Sequence, residues 1–285
     1  MNNKILITGA TGTVGNEVIQ QLTDKGVSVR AAVRNLEQAS QRGWRGVEPV
    51  HFDYGKPETF DAALEGVQRL FLVAPPLASQ APAMMKPVIE KAKEKGVEYI
   101  VDLSAMCVED DDDLPLRQVE IAVEKSGLAY TLLRPNWFMQ NCNTYMLEDI
   151  KNGRGIIAPA GEAILSFIDI RDIAAVAVEA LTTDDHNQKA YTLTGDDAFD
   201  HHRMAEILSE LTGLKVGYHA IDDAALREAL LNEGIPQDSI HYYSRLYSVV
   251  RAGSYAPVSA DVENILKRKP IGFEQYVKDY MDYYK

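Results

Sequence analysis

Hydrophobic and polar positions follow two alternating patterns through the first half of the chain. Short runs rich in valine, isoleucine and leucine recur, and longer segments between them place apolar residues three or four positions apart. The runs predict strands at 4–8, 27–33, 47–52, 68–73, 99–103 and 129–133. The spaced segments predict helices at 14–25, 57–65, 84–95 and 116–125. Strands that alternate with helices favour an α/β fold with a doubly wound parallel sheet of the Rossmann type.

The second half has a less regular pattern. It predicts strands at 165–170 and 190–194 and helices at 172–181, 204–211, 222–232 and 273–284. We expect Asp172 to cap the first of these helices, and Asp200 and Gly213 to bound the second. The elements at 164–181 and 190–194 are predicted to return to a first domain, 1–150. A smaller C-terminal α/β lobe is predicted over 195–285, with segments from 136–163.

A glycine-rich loop directly follows the first predicted strand, in the sequence ILITGATGTVGNE. Gly9, Gly12 and Gly15 would let the backbone turn tightly and approach a phosphate, while the following helix presents free N–H groups to the anion. The hydroxyls of Thr11 and Thr13 add donors. Because the loop opens a βαβ unit, it predicts dinucleotide binding; a tight turn without a ligand is the alternative.

The end of the second strand decides which dinucleotide is expected. An acidic residue at this point would bind the ribose hydroxyls of NAD, but the strand ends in Arg34. A guanidinium matches a 2′-phosphate, so we predict NADPH in preference to NADH. Asp53, after the third strand, could accept a hydrogen bond from the adenine amino group. A solvated arginine and a turn-forming aspartate remain the alternatives.

Composition limits the classes of partner. The net charge is −13, which disfavours binding to nucleic acid, and no apolar run reaches the length of a membrane helix. We therefore expect a cytoplasmic protein that is not bound to membranes. The two cysteines, Cys107 and Cys142, do not form a CxxC pair. The adjacent histidines His201 and His202 lack metal-ligand spacing, so no metal site is predicted.

Six segments resemble, in order, the NmrA-like atypical short-chain dehydrogenase/reductases. They are ITGATGTVG, VRAAVRN, HFDYGKPETFDAALEGV, LSAM, SGLAYTLLRPNWFMQN and FIDIRDIAAVAVEAL. The resemblance implies a Rossmann domain with a smaller substrate lobe, NAD(P)H binding, and reduction of quinones, dyes or other conjugated electrophiles. Some members of the family are instead redox-sensing regulators. The implied cofactor contacts are Gly9, Thr11, Gly12, Thr13, Val14, Gly15, Arg34, Asp53, Tyr54, Ala74, Pro75, Ser104 and Ala105.

The sequence lacks the Tyr-x-x-x-Lys pair of the broader superfamily, because no tyrosine is followed by lysine four residues later. Two residues are candidates to assist the reaction instead. Ser104 could orient an oxygen of the substrate, or it could be a strand-end serine that contacts the cofactor. Arg117 could act electrostatically, but an arginine is not an ordinary acid near neutral pH. Hydride transfer to an acceptor that delocalises charge needs no side-chain acid, since solvent can protonate the product.

Ligands of doubly wound sheets bind beyond the carboxyl ends of the strands, which predicts one cleft formed by 75–77, 104–106 and 136–143. Asn136, Trp137, Phe138 and Met139 are the candidate substrate contacts, although the last three could equally be core residues. The sequence therefore predicts an NADPH-dependent reductase of a small aromatic or conjugated electrophile (a quinone, imine or iminium, or enone). The alternative is a non-catalytic NADP(H) sensor that acts through a protein partner. Either a monomer or a homodimer fits the sequence.

Overall fold

A computed structural model describes residues 4–75 and 78–285. Its strands are β1 Ile5–Ile7, β2 Val29–Val33, β3 Val47–His51, β4 Arg69–Val73, β5 Tyr99–Leu103, β6 Ala129–Pro135, β7 Ile156–Ala158, β8 Lys189–Leu193 and β9 Tyr218–Ala220. Its α-helices are α1 Thr13–Asp24, α2 Leu36–Ser40, α3 Phe60–Leu64, α4 Ala81–Glu94, α5 Pro115–Lys125, α6 Leu147–Lys151, α7 Ile170–Thr182, α8 His201–Thr212, α9 Asp223–Asn232, α10 Gln237–Arg251, α11 Asp261–Leu266 and α12 Phe273–Asp279. Short 3₁₀ helices cover Pro57–Thr59, Ala78–Gln80, Val108–Asp110, Met139–Asn143 and Met281–Tyr284.

The chain forms two compact units. Unit 1 comprises the chain up to Pro135 together with Ile170–Thr192, and unit 2 comprises Asn136–Asp169 and Leu193–Lys285. Helix α7 and strand β8 thus belong mainly to unit 1, although they follow a long excursion of the chain into unit 2. Unit 1 ends at Pro135, earlier than residue 150, because the 136–150 segment packs within unit 2. The assignment of cofactor and substrate binding to separate domains stays a prediction.

Unit 1 contains a seven-stranded sheet in the order β3-β2-β1-β4-β5-β6-β8. The pairs β1–β2, β1–β4, β2–β3, β4–β5 and β5–β6 are all parallel. The strand order reverses between β1 and β4, and this is the point where ligands bind in doubly wound sheets. The predicted Rossmann-type fold class is confirmed.

Helices cover both faces of this sheet, which explains why its inner strands are mainly apolar, with Arg30 in β2 and Asp102 in β5 as buried exceptions. Helices α1 and α7 pack against each other on one face. Helices α3, α4 and α5 bury their apolar residues on the other face against Leu6, Leu70, Leu72, Ile100 and Leu132. Helix α1 buries Val14, Val18, Ile19 and Leu22, the four residues that its spacing places on one side. The sheet is therefore packed on both faces, and this packing positions the loops at its carboxyl edge.

Unit 2 has a two-stranded parallel sheet of β7 and β9 and six helices around it. A Cβ atom at Gly155 would lie 2.2 Å from the carbonyl oxygen of Gly217, so only glycine allows this close approach of the two strands. Helix α8 begins after Asp200, whose side chain accepts a hydrogen bond from the N–H of Arg203, and it ends at Gly213 in the left-handed conformation. Both predicted boundaries of this helix are confirmed.

The predictions for the second half contain errors. The apolar run 165–170 is not a strand: Leu165 and Ile168 form only isolated bridges, and the backbone N–H of Ser166 donates to Tyr255. Three separate segments of the chain therefore form hydrogen bonds with this one run, so it does not pair as a strand with a single neighbour. Helix α7 already begins at Ile170, which places Asp172 within its first turn and not at its cap. The predicted helix 273–284 stops at Asp279 and continues as a 3₁₀ turn. No helix among the described residues is long and apolar enough to cross a membrane.

Candidate functional site

The first turn of α1 lies directly on the glycine loop that follows β1. Gly9 adopts φ +60°, and a Cβ atom there would lie 3.0 Å from the Cβ of Val73 at the end of β4. A Cβ atom at Gly15 would lie 2.3 Å from the carbonyl oxygen of Gly9, closer than any side chain can approach. The two glycines thus allow the loop, β4 and the helix to meet at the point of strand reversal. Gly9 is required by its positive φ and by the nearby side chain of Val73, whereas Gly15 is required by the nearby backbone of the loop.

The N-terminus of α1 offers its N–H groups without a competing side chain. Gly12 is the residue before the helix; it has extended backbone and carries no group that could cap the helix. The first turn also contains no acidic residue. The first N–H groups of an α-helix have no partner within the helix. The backbone of Thr13, Val14 and Gly15 can therefore bind an anion, and the loop satisfies the steric and electrostatic requirements for a pyrophosphate.

Arg34 follows β2, the strand that neighbours β1, and its side chain is exposed. Within residues 4–75 and 78–285, no carboxylate and no hydrogen-bond acceptor contacts its guanidinium. The next residue, Asn35, caps α2 by accepting from the N–H of Gln38 at 3.1 Å. Arg34 is thus held at the strand end with its charge available for a ligand.

A second arginine in this region could not be identified from sequence alone. Arg42 lies in the connection between β2 and β3 and donates from Nη2 to the carbonyl oxygen of Thr11 at 3.2 Å. The adjacent Trp44 donates from Nε1 to Oδ1 of Asn16 in α1 at 3.0 Å. These two contacts fold the connection over the glycine loop and add a second guanidinium beside it. The sequence shows Arg42 only as a basic residue in the connection after β2, and nothing in its position indicates the contact with the glycine loop.

Asp53 and Tyr54 follow β3 and have mainly local partners. Oδ1 of Asp53 accepts from the N–H of Gly55 at 3.0 Å, as in an Asx turn, which leaves the other carboxylate oxygen for a ligand. The hydroxyl of Tyr54 donates to the carbonyl oxygen of Val73 at 2.7 Å, and burial raises the pKa of this phenol. Tyr54 therefore fixes the end of β3 to the end of β4. Ala74 and Pro75 come directly after this contact and are half-buried.

Of the predicted 75–77 segment, Pro76 and Leu77 lie outside the described residues. At the end of β5, the backbone N–H of Ser104 donates to Leu133 at 2.8 Å and continues the sheet. The Ser104 side chain is buried, with 6% of the residue exposed. Its Oγ has no hydrogen-bond partner in the described part of the chain. A buried hydroxyl without a partner is costly, which fits a residue whose partner is a bound ligand. Ala105 follows and is half-buried.

Arg117 has strong partners within the protein. It donates from Nε to Asp112 at 3.1 Å and from Nη1 to Glu120 and Glu124 at 2.9 Å each. These hydrogen bonds, led by the one to Glu124, raise the pKa of the guanidinium further. Arg134 forms a bidentate pair with the fully buried Glu120. Arg117 is thus part of a structural ion-pair network, and this geometry gives no support to its predicted role toward substrate.

The four candidate substrate contacts all belong to unit 2 and differ in exposure. Asn136 is buried: its amide donates to Ser166 at 2.7 Å and to the carbonyl oxygen of Tyr255 at 2.8 Å. Met139 is also buried, with 1% exposed. Trp137 and Phe138 are only half-buried. Trp137 and Phe138 therefore remain candidates for contact with a ligand, whereas Asn136 and Met139 stabilise the interior of unit 2.

The family model described as the NmrA-like family matches residues 1–277. The chain belongs to the NmrA-like family. The resemblance of the six sequence segments is thereby confirmed, and the match extends through both units.

Several similar proteins have names that describe reductases. The NAD(P)H azoreductase of Xenophilus azovorans is 33% identical over 278 residues, which cover 96% of each chain. Among solved structures, the triphenylmethane reductase of Citrobacter sp. complexed with NADP(H) has a TM-score of 0.81 and 27% identity, covering 97% of this chain and 99% of that one. The NADPH-dependent quinone oxidoreductase of Escherichia coli complexed with NADPH has a TM-score of 0.83 and 26% identity over the same shares.

Proposed function

We propose that this NAD(P)H-dependent oxidoreductase of the NmrA-like family uses NADPH to reduce small planar aromatic or conjugated electrophiles such as azo compounds, quinones, imines and enones. The observation that carries the proposal is the glycine loop at the strand reversal, with the uncapped first turn of α1 above it and an unpaired Arg34 beside it. The relatives named above act on an azo compound, a triphenylmethane dye and a quinone, which supports the aromatic substrate class.

The residues of unit 1 divide the binding of the cofactor between them. The first turn of α1 holds the pyrophosphate through backbone N–H groups. Arg34, with Arg42 close by, binds the 2′-phosphate, and the free oxygen of Asp53 accepts from the adenine amino group. Ser104 supplies a hydroxyl at the carboxyl end of β5 that orients the nicotinamide amide or a substrate oxygen. When bound, the dihydronicotinamide supplies the hydride.

The proton for the product comes from solvent in this proposal. The chain has no Tyr-x-x-x-Lys pair, and Arg117 is held by three carboxylates. Acceptors that delocalise the incoming charge do not require a positioned acid, whereas simple ketones do. We therefore expect activity toward quinones, azo compounds and iminium ions, and little toward unconjugated ketones.

Turnover tests this function. The protein is incubated with NADPH and, in separate reactions, a naphthoquinone, an azo dye, an imine, an enone and a simple ketone, and the loss of reduced nicotinamide is followed by absorbance. Protein-dependent consumption with at least one conjugated acceptor and not with the ketone is expected. Tight NADPH binding without consumption in any reaction would contradict a reductase and favour a sensor that acts through a protein partner.

A further inference from the structure

A cavity of about 460 Å³ lies between helix α1 and the connection that leads from α2 to β3. Asn16 and Asp24 are the first and last residues of α1 that line it, and they are about 12 Å apart along the helix. This volume lies in the range of small-molecule sites, about 300–1,000 Å³. The described residues that line the cavity include no glycine of the loop after β1, and neither Arg34 nor Asp53. The cavity is therefore a different place from the proposed nucleotide site, although both lie in unit 1.

Two glycines and a tryptophan shape the wall of the cavity that faces α1. Gly43 and Gly46 adopt φ of +70° and +71°, a conformation that residues with a side chain rarely adopt, so the connection can arch away from the helix. Between them, Trp44 is half-buried, and its Nε1 donates to Oδ1 of Asn16 at 3.0 Å. Since this oxygen already has a donor, the amide N–H groups of Asn16 remain for a ligand. The indole is thus fixed as part of the wall, with hydrogen-bond donors beside it.

The charged side chains of the cavity do not neutralise one another. Arg45 is exposed, and within the described ranges no carboxylate and no other acceptor contacts its guanidinium. The carboxylate of Asp24, on the helix side, is also exposed and has no partner in that part of the chain. Arg42 lines the cavity as well, and its guanidinium donates to a backbone carbonyl oxygen and not to a carboxylate. The cavity therefore holds two guanidiniums and one carboxylate that are available to a ligand.

Other arginines of this protein pair with acidic side chains. Arg30 pairs with Glu48 at 2.8 Å, and Arg251 pairs with Asp223 at 2.9 Å. Such partners are abundant, because the chain has 42 acidic residues and only 29 basic ones. Two guanidiniums without a carboxylate in one cavity therefore favour an anionic ligand, since a guanidinium binds a phosphate or carboxylate through several N–H groups.

We propose that this cavity is a second ligand site, which binds a nucleoside monophosphate while the cofactor site is filled. The phosphate binds to Arg45 and to the amide donors of Asn16 and Gln20. The base stacks on the indole of Trp44, as bases of any sequence stack on aromatic side chains. Asp24 accepts a hydrogen bond from a sugar hydroxyl or a base amine. The site goes beyond the proposed function and does not depend on it.

Size and charge favour a single nucleotide over the alternatives. The lining extends over about 12 Å of α1, which suits one nucleotide and not a strand. The net charge of −13 repels the phosphate backbone of a nucleic acid. Inorganic phosphate, in turn, would leave both Trp44 and Asp24 without a partner. The ligand that uses all the groups of the cavity carries a phosphate, a planar ring and a hydrogen-bond donor.

Tryptophan fluorescence can measure this binding, because the chain has only Trp44 in the cavity wall and Trp137 in unit 2. Titration of Trp137→Phe with 5′-AMP, in saturating NADP⁺, is expected to give a saturable change in the emission of Trp44. Trp44→Phe, whose remaining reporter is Trp137, is expected to show none. A change that is abolished by NADP⁺ would place AMP in the cofactor site and overturn the proposal. An equal change in Trp44→Phe would overturn it too.

Fragments of AMP show which parts of the ligand are recognised. Adenosine lacks the phosphate and ribose 5-phosphate lacks the base, so each is expected to bind at least about tenfold more weakly than AMP under the same conditions. Adenosine that binds as tightly as AMP would refute a phosphate site. Ribose 5-phosphate or inorganic phosphate that binds as tightly as AMP would refute the role of Trp44 and show an anion site only.

Substitution of the unpaired arginine locates the phosphate. Arg45→Gln is expected to raise the calorimetric Kd of AMP, in saturating NADP⁺, about tenfold or more, because a charge-assisted contact is lost. The Kd of NADPH should change less than about threefold, since Arg45 is not among the proposed cofactor contacts. Arg227→Gln is the matched control, because it removes the same charge at an exposed position of α9 in unit 2. An unchanged Kd of AMP in Arg45→Gln, or an equal loss in Arg227→Gln, would refute the assignment.

Discussion

Single residues determine whether the loop after β1 can hold a dinucleotide. Gly15 leaves no space for a Cβ atom against the backbone of Gly9, and Arg34 has no partner in the described chain. Gly15 acts sterically, whereas Arg34 acts through its charge. The glycine permits the close approach of helix and loop, whereas the arginine carries a positive charge after β2, where we propose that the 2′-phosphate binds. Substitution at each position should therefore have a different consequence.

Arg34→Ala is expected to weaken NADPH binding about tenfold to a hundredfold and to leave NADH binding nearly unchanged. The reason is that a charge-assisted pair with the 2′-phosphate is lost, and NADH has no such group. Calorimetric Kd values for both nucleotides test this. Arg227→Ala, at an exposed position of α9 in unit 2, controls for the change in net charge. An equal loss for both nucleotides in Arg34→Ala would show that the arginine does not discriminate between them.

Gly15→Ala should impair both cofactor binding and folding, because its methyl group would lie 2.3 Å from a backbone oxygen that cannot move independently. Overpacking of this kind costs about 1–3 kcal/mol in the free energy of unfolding. Urea denaturation and NADPH titration are the measurements. Gly272→Ala is the control, since the nearest atom to its added Cβ would be 3.6 Å away. Normal NADPH affinity in Gly15→Ala would contradict the packing of α1 on the loop.

Elements were predictable where their ends have local causes. Asp200 and Gly213 bound α8 through contacts within a few residues, and both were visible in the sequence. The run 165–170 failed as a strand because distant segments take its hydrogen bonds, and α10 was missed because its tyrosines do not mark a helix strongly. In the candidate site, too, features with local causes could be predicted and features with tertiary causes could not. The glycine spacing was visible, whereas the contact of Arg42 with the loop and the pairing of Arg117 depend on tertiary structure.

The two aspartate caps in unit 2 should contribute unequally to global stability. Asp200 and Asp222 each accept a hydrogen bond from a backbone N–H at 2.8 Å. Helix α8 buries five residues, including Met204 and Leu208, whereas α9 buries none. Asp200→Ala is therefore expected to lower the free energy of unfolding by about 1 kcal/mol, and Asp222→Ala to fray α9 with little global effect. Equal losses in urea denaturation would show that α9 is as firmly coupled to the fold as α8.

Stability should fall in mild acid because of His201 at the start of α8. Burial lowers the pKa of this histidine to about 4, from an ordinary value near 6.5. The unfolded chain therefore binds a proton first as the pH falls, so stability is complete above about pH 6.5 and is lost progressively toward pH 4. The loss from this residue is at most about 3 kcal/mol.

Urea unfolding at pH 7 and pH 5 tests the role of His201. His201→Phe keeps an aromatic ring against Phe167 and Tyr218 and should reduce the difference between the two pH values. The exposed His241 of α10 provides the control, because His241→Phe also removes one imidazole and should leave the difference as it is. A pH dependence unaffected by His201→Phe would assign the acid sensitivity to other groups.

At the scale of the whole molecule, the fold class could be predicted because the strands and helices that alternate through the first half of the sequence allow few topologies. By contrast, the chain passes between the two compact units after residues 135, 169 and 192, and no composition change marks those points. The net charge of −13 opposes an anionic cofactor over long range. Affinity for a dinucleotide must therefore come from the local arrangement of loop, helix end and arginines.

The most direct test of this account is a calorimetric titration of the unmodified protein with NADPH and, separately, with NADH. We predict one nicotinamide nucleotide per chain, with NADPH bound about tenfold or more tightly than NADH, because in our proposal the helix end holds the pyrophosphate of both and Arg34 contacts the 2′-phosphate of one. No heat of binding with either nucleotide, under conditions where the protein is folded, would contradict it.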